Sequence, residues 1–263
     1  PGAWIPLQYA RRLVLAGDPF QLPPTVVSAE AAAQGYGVSL MERLMEPAGP
    51  FIATSLSVRL NVQYRMHQEI MAFSSREFYE ESLVADAQVS QHLLRDLPGV
   101  ADTPLTGTAV TFIDTAGASY DEVVEPGGES RFNPQEALLT VQMVQALLDA
   151  GLPASEIAVI APYSAQVHLL REQLAQPELE VDSVDGFQGR EKEAVIVSLV
   201  RSNRDGEIGF LADVRRMNVA LTRARRKLIV IGDSATIAGH PFYQRMVAYF
   251  EGIGAYHSVW EMV

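Results

Sequence analysis

No cysteine occurs among the 263 residues. That excludes a disulfide scaffold, a thiolate zinc site and a cysteine nucleophile. It also fits a reducing compartment, so the cytoplasm is the expected location. Lysine is nearly missing: of 20 basic residues, 18 are arginine and only Lys192 and Lys227 are lysine. Codon bias in a GC-rich genome produces such a skew. A phosphate-binding P-loop ends in Gly-Lys-Ser/Thr, whereas Lys192 precedes Glu193 and Lys227 precedes Leu228. The chain therefore has no P-loop. No apolar run reaches the ~18–20 residues of a membrane span, and no signal peptide opens the chain. Basic charge is in deficit, with 32 acidic side chains and a net charge of −12, which argues against a general basic coat for duplex DNA. The five histidines, at positions 67, 92, 168, 240 and 257, show no ligand spacing. Each is expected to be a surface or capping residue, and no metal site is expected. No Gly-x-Ser-x-Gly elbow is present either, so a nuclease or other metal hydrolase finds little support.

What is present is a chain that can build a core, with 48% apolar and 20% charged residues. Short apolar runs alternate with helical patterns. The expected strands are Leu13–Ala16, Ser55–Leu60, Val110–Asp114, Ile157–Ala161, Ala194–Leu199 and Leu228–Ile231. Several are apolar at consecutive positions, as in strands buried on both faces of a parallel sheet. The clearest helix is 134–150, with Asn133 as N-cap, Pro134 at the first position and Gly151 after the end. A helix over 165–176, capped by Ser164, stops before Pro177, and others are expected near 39–46, 66–79, 213–222 and 241–251. This alternation predicts an α/β fold, a parallel sheet with helices on both faces. The Gly- and acid-rich stretch 116–132 is expected to be a mobile surface loop. The chain opens abruptly on Pro1-Gly2-Ala3-Trp4 without an initiator Met, which leads us to expect a piece of a longer protein.

Four motifs carry chemistry. In the first, Leu13-Val14-Leu15-Ala16-Gly17-Asp18-Pro19-Phe20-Gln21-Leu22-Pro23-Pro24, a strand runs into a proline-framed loop that presents Gln21. A Gln at a strand end can touch a terminal phosphate or orient a water; equally, Asp18 could simply cap backbone amides there. The second is Val62-Gln63-Tyr64-Arg65-Met66-His67. Here Arg65 can pair with phosphate oxygens and Tyr64 can pack on a base or ribose. The third is Val181-Asp182-Ser183-Val184-Asp185-Gly186-Phe187-Gln188-Gly189-Arg190-Glu191. Its glycines allow close backbone approach, Ser183 offers a hydroxyl to a nucleic-acid phosphate, and Glu191 offers an acceptor to ribose hydroxyls. The alternative is a polar loop entering the next strand. The fourth is Arg215-Arg216-Met217-Asn218-Val219-Ala220-Leu221-Thr222-Arg223-Ala224-Arg225-Arg226-Lys227, with six basic residues in thirteen. Such local concentration against the global sign suggests an anionic partner. If 213–222 is helical, Arg216, Ala220 and Arg223 share roughly one face, and Arg223 could act as an arginine finger. A solvated basic helix end, favoured by the macrodipole, would also explain Arg225, Arg226 and Lys227.

In this order and spacing, GDPFQLPP, QYRMH, VDSVDGFQGREKE and NVALTRAR resemble motifs III, IV, V and VI of superfamily 1 helicases, in the spelling of the nonsense-mediated-decay helicase group. That family has two RecA-like domains, with ATP between them and a single strand of nucleic acid across their top. The resemblance implies a RecA-like P-loop NTPase fold lacking the P-loop itself. Gln21 and Arg65 would sense the γ-phosphate, and Arg223 would be the finger from across the cleft. Glu191 would hold the ribose, with Tyr64 near the adenine and Gly189 in the same loop. Pro162, Tyr163, Ser164, Ser183 and Pro24 would grip the strand. The family's P-loop Lys and the Asp-Glu pair that holds Mg²⁺ belong upstream; Asp114 and Asp233 lack the following Glu. Residues 1–54 are accordingly expected to be the tail of the first RecA-like domain and 55–263 the second. The expected function is the C-terminal motor domain of an ATP-dependent 5′→3′ helicase, using ATP with Mg²⁺ and inactive as an isolated piece. Its expected partners are single-stranded DNA or RNA and the missing N-terminal domain, not a membrane. The alternative is a degenerate RecA-like module that binds nucleic acid or protein without catalysis.

Overall fold

The computed structural model describes residues 4–45 and 57–261, with the side chains of Trp4 and Pro6 left aside. The chain divides into two compact units, Pro1–Leu60 and Asn61–Val263.

The first unit contains short helices at Trp4–Leu7, Ala29–Ala31 and Leu40–Met45, with a single π-type turn at Ala32–Tyr36. None of its described residues is buried. The expected strand Leu13–Ala16 is not one among the described residues: it takes no strand conformation, and Val14 is 92% exposed. A strand exists only through ladder partners, and the described residues of this unit supply none. Residues 57–60 of the expected strand Ser55–Leu60 are not in a strand, and Ser55 and Leu56 lie outside the described residues.

The second unit is the α/β structure that the alternation predicts. Its sheet comprises β1 (Val110–Asp114), β2 (Ile157–Ala161), β3 (Glu180–Ser183), β4 (Lys192–Ser198), β5 (Ala224–Gly232) and β6 (Tyr256–Ser258). Their order is β6-β1-β5-β4-β2-β3, and every pairing is parallel. Every residue of β1 and β2 is buried, because helices cover both faces. Against one face, α2 (Pro134–Asp149) and α3 (Ser164–Leu174) close a cluster that includes Ile113, Val159, Ile196 and Ile231. Against the other lie α1 (Gln68–Phe78), α4 (Val214–Leu221) and α5 (Pro241–Gly252). There Phe250 stacks on Phe112 at 5.5 Å, and Phe242 meets Phe73 edge-on at 5.2 Å.

β3 escapes the apolar-run criterion because it is an edge strand bearing Glu180 and Asp182. Arg171 covers its Val181 carbonyl with two donors, at 2.9 and 2.7 Å, which discourages edge-to-edge association. Asn133 caps α2 as expected, accepting from Glu136 N at 3.0 Å. Ser164 does not cap α3. It is the first helical residue, behind Tyr163, and the cap is supplied from elsewhere, since Ser130 Oγ accepts from Ala165 N at 3.1 Å.

That contact also corrects the expected mobile loop at 116–132. Val123–Val124 and Arg131–Phe132 form an antiparallel hairpin. Glu122 anchors it, accepting from Arg201 Nε at 2.8 Å and Ser202 N at 2.9 Å and pairing with Arg131 at 3.2 Å. The sequence signal for this hairpin is hidden in the Gly and acidic residues of its turn.

Beneath it lies a buried polar network at the carboxyl end of β4. Glu136 is fully buried, and one of its carboxylate oxygens accepts from Ser198 Oγ at 2.7 Å and Val200 N at 2.9 Å. Desolvation pushes its pKa up to about 7, and Asp233 adds to the rise. A carboxyl with a folded pKa above its unfolded value binds its proton more tightly in the native state. Its stabilising contribution is fully present below about 4.5 and is lost as the pH rises toward 7. Burial lowers His67 to about 4, which gives the opposite slope over much of the same range. The expected outcome is therefore differential: in chemical denaturation, wild type minus Glu136→Gln stability falls between pH 4.5 and 7 and is flat above.

Candidate nucleotide and nucleic-acid sites at opposite edges of the sheet

Parallel strands give the sheet two chemically distinct edges, and the candidate residues of the second unit sort onto both. At the amino edge, β4 begins at Lys192 and β5 at Ala224, and these two are register partners. Lys192 N donates to Arg223 O at 3.2 Å, so Glu191 and Arg223 become neighbours. Arg65, which precedes α1, reaches the same place. Its Nε donates to the Glu191 carboxylate, and its Nη1 donates to Thr222 O at 3.1 Å. Gln63 holds the turn, its Oε1 accepting from the backbone N of Arg65 at 2.9 Å and of Met66 at 2.7 Å. Tyr64 stands exposed beside Arg65. Gly189 is exposed with φ +83°, and a Cβ there would meet nothing within 4 Å.

Arg223 is not on the helix face shared by Arg216 and Ala220. α4 ends at Leu221, and Arg223 lies past it in the turn to β5. Its side chain is 3% exposed, folded so that Nε donates to Val219 O at 3.0 Å and Nη2 to Thr222 Oγ1 at 2.9 Å.

The solvated basic helix end is overturned. Arg225, Arg226 and Lys227 lie in β5. Arg225 and Arg226 pair with Glu193 at 3.3 and 2.8 Å. Lys227 is fully buried and donates to Thr108 Oγ1 and Thr111 Oγ1, both at 2.7 Å. Burial lowers its pKa to about 7. Two histidines cap helices as expected: His67 accepts from Glu69 N and His240 from Phe242 N. His92 does neither surface nor capping work. It is buried, with Nε2 2.8 Å from Arg225 O, and desolvation lowers its pKa. Among the described residues, no group of three or more His, Asp or Glu side chains could hold a metal ion.

At the carboxyl edge lie Pro162, Tyr163 and Ser164, after β2, and Ser183, at the end of β3. Ser164 is exposed and contacts Ser130 Oγ at 3.2 Å. Ser183 Oγ accepts from Gly186 N at 3.1 Å and so shapes its own turn. Tyr163 is 3% exposed, so its ring is not open for stacking. Its hydroxyl accepts from Arg201 Nη1 and Phe210 N, each at 3.2 Å. Sequence reasoning missed Arg201, Glu122 and Phe210 in this framework; the Arg201 stretch follows a buried strand directly and was the one available signal.

In the first unit, Gln21 Nε2 donates to Asp18 Oδ2 at 2.9 Å, and Asp18 Oδ1 accepts from Phe20 N at 3.0 Å. Asp18 thus organises its own turn, as the alternative reading held, and orients Gln21 while doing so. Pro24 is exposed.

Gly209 packs where Arg201 and Tyr163 meet. It has φ +52°, and a Cβ there would run into the Arg201 guanidinium and the Tyr163 hydroxyl. Gly209→Ala is expected to cost ~1–3 kcal/mol in thermal or urea unfolding, from overlap plus a left-handed backbone.

Two AAA domain family models match the chain, one over residues 36–235 and the other over 1–29. The chain is 52% identical over 260 residues to the DNA-binding protein SMUBP-2 of Rattus norvegicus, covering 98% of this chain and 26% of that protein. It is 43% identical to the DNA polymerase alpha-associated DNA helicase A of Schizosaccharomyces pombe, over 95% of this chain and 38% of the relative. It is 37% identical to the DNA replication ATP-dependent helicase/nuclease DNA2 of Bos taurus, over 92% and 24%. The chain thus spans between about a quarter and two fifths of these relatives. With its four ordered motifs and its parallel α/β sheet, it belongs to the AAA domain family, among the superfamily 1 helicases.

Proposed function

We propose that this chain is the C-terminal motor part of an ATP-dependent nucleic-acid helicase, supplying the arginine side of the ATP site and part of a single-strand track. The observation that carries the reading is the amino-edge cluster, where Arg65 bonds directly to Glu191 and to Thr222, 126 and 157 positions away, while Arg223 O accepts from Lys192 N beside them. The donor set suits a nucleoside triphosphate. Guanidinium groups match phosphate oxygens, and the Glu191 carboxylate matches ribose hydroxyls. The exposed Tyr64 ring suits a base, and the open approach at Gly189 suits a close backbone contact.

Residues 1–54 then belong to the end of one RecA-like domain and 55–263 to a second. Gln21 has the role of a γ-phosphate sensor, and Pro24 that of a contact to the strand. Arg65 exchanges its contact with Glu191 for a phosphate oxygen, which leaves Glu191 to accept from ribose. Arg223 stabilises the charge of the transferring phosphoryl group. Bound ATP with Mg²⁺ supplies the phosphoryl group whose transfer to water drives stepping. At the carboxyl edge, Pro162, Ser164 and Ser183 border a strand of DNA or RNA, and Tyr163 serves as the buried post behind them. The setting is cytoplasmic, and movement is 5′→3′.

Two outcomes test this reading. Residues 1–263 alone are expected to show no ATP turnover, because neither lysine, Lys192 before Glu193 nor Lys227 before Leu228, fits a P-loop; turnover by the pure piece would overturn that. In the whole polypeptide, Arg223→Ala is expected to leave ATP binding nearly intact while kcat falls by ~10³. An unchanged kcat removes Arg223 from the finger role. Absence of any ATPase in the wild-type polypeptide favours the binding-module alternative.

A further inference from the structure

A large aromatic ring is held open at the carboxyl edge. Phe210 is 55% exposed, although its backbone N–H is tied down. Its N–H donates to Tyr163 Oη, a group that Arg201 also engages at 3.2 Å. Arg201 is fixed in turn by Glu122 at 2.8 Å. Gly209, immediately before, lies so close to Arg201 and Tyr163 that no side chain fits. The Phe210 ring leans on Tyr163 with centroids 5.2 Å apart. The Arg216 guanidinium stands 5.6 Å from its centroid. An apolar side chain free to move would fold onto the protein; this one is braced outward.

Arg216 is oddly placed for stability. It occupies the first turn of α4, together with Arg215, where the helix dipole disfavours cations. Its Nε is buried with no hydrogen-bond partner among the described residues, and Asp185 stands 3.6 Å from its Nη2. Arg215 is paired with Asp213 at 3.3 Å. A cation braced over an open ring fits a ligand that offers a flat π surface and a negative charge within a few ångströms of each other, as a nucleotide does within a strand.

We infer that Phe210 and Arg216 form a stacking step for single-stranded nucleic acid: one base lies on the exposed Phe210 ring, and Arg216 meets the neighbouring phosphate. This rests on the reading that a single strand follows the carboxyl edge, and it names a step there whose ring, Phe210, lies outside the four motifs. Stacking on a ring tolerates any base, so oligo-dT and oligo-U are both taken.

The test is fluorescence anisotropy with labelled oligo-dT and, in parallel, oligo-U, on the whole polypeptide carrying this chain. Phe210→Ala is expected to weaken binding about fivefold or more without changing the slope of log K against log salt. Arg216→Gln is expected to reduce that slope by about 0.7, the loss of one phosphate contact on a single strand. Phe210→Trp keeps a stacking surface, so it is expected to retain affinity, and its added indole emission is expected to be quenched by the strand. Wild-type affinity in Phe210→Ala, or a Phe210→Trp emission that the strand does not move, overturns the step. If the wild-type polypeptide binds neither oligonucleotide, the carboxyl-edge track itself is wrong and the step falls with it.

Discussion

The parallel pairing of β4 with β5 is the constraint on which the candidate chemistry depends. Setting Lys192 opposite Ala224 brings Glu191 beside Arg223, residues that chain distance alone would leave far apart. Arg65 then has both a carboxylate and a carbonyl to hold, and the start of α1 is drawn to the same rim, where His67 N donates to Arg225 O at 2.8 Å. A slip of one residue in this ladder would turn every β5 side chain to the opposite face. It would set Leu228 and Val230 against the wrong helices and scatter the rim. Burial on both sides from Leu228 through Gly232 fixes the inner ladder, and a one-residue shift between Lys192 and Ala194 then sets Lys192 opposite Ala224.

Two connections tie the sheet edges together. The segment 184–191 leaves the carboxyl end of β3 near Ser183 and arrives at the amino end of β4 with Glu191. α4 starts with Arg215 and Arg216 near the carboxyl edge and delivers Thr222 and Arg223 to the amino edge. An eight-residue helix is about 12 Å long, so the residues proposed to meet the strand and those proposed to meet the nucleotide sit at the two ends of one stiff element. A shift of α4 along its axis would be felt at both ends.

Electrostatics at the amino edge is balanced rather than simply basic. The six basic residues in 215–227 do not add up to a bare cationic patch. Glu193 neutralises two of them, Glu191 is shared between Arg65 and Arg225, and Lys227 is withdrawn into the core beneath Thr108 and Thr111. Carboxylates interleaved with guanidinium groups keep a dense arginine cluster folded without an anion. They also leave the Arg65–Glu191 pair open to exchange when one arrives, since a pair whose side chains are 30% and 39% exposed is weak.

Much of the second unit was legible before any coordinates. Val110–Asp114 and Ile157–Ala161 are strands over the residues that their short β-rich apolar runs mark, and Asn133-Pro134 starts a helix where capping chemistry requires one. The same rule misled at Leu13–Ala16, whose apolar run has no strand partner among the described residues of its unit, and it missed β3, whose charged residues suit an edge strand. Arg223 could be singled out as a residue but not located, because the helix expected to carry it ends two positions earlier at Leu221. Nothing local marked Tyr163 as a buried post or Phe210 as the exposed ring. Hydrophobic period and capping residues act within a few positions, so the sequence by itself determined which segments pack, which faces they bury and which residue types bear chemistry. Only the tertiary structure decided which edge each of those residues occupies and which are used up as internal partners, because that follows from ladder register and contacts between segments distant in the chain.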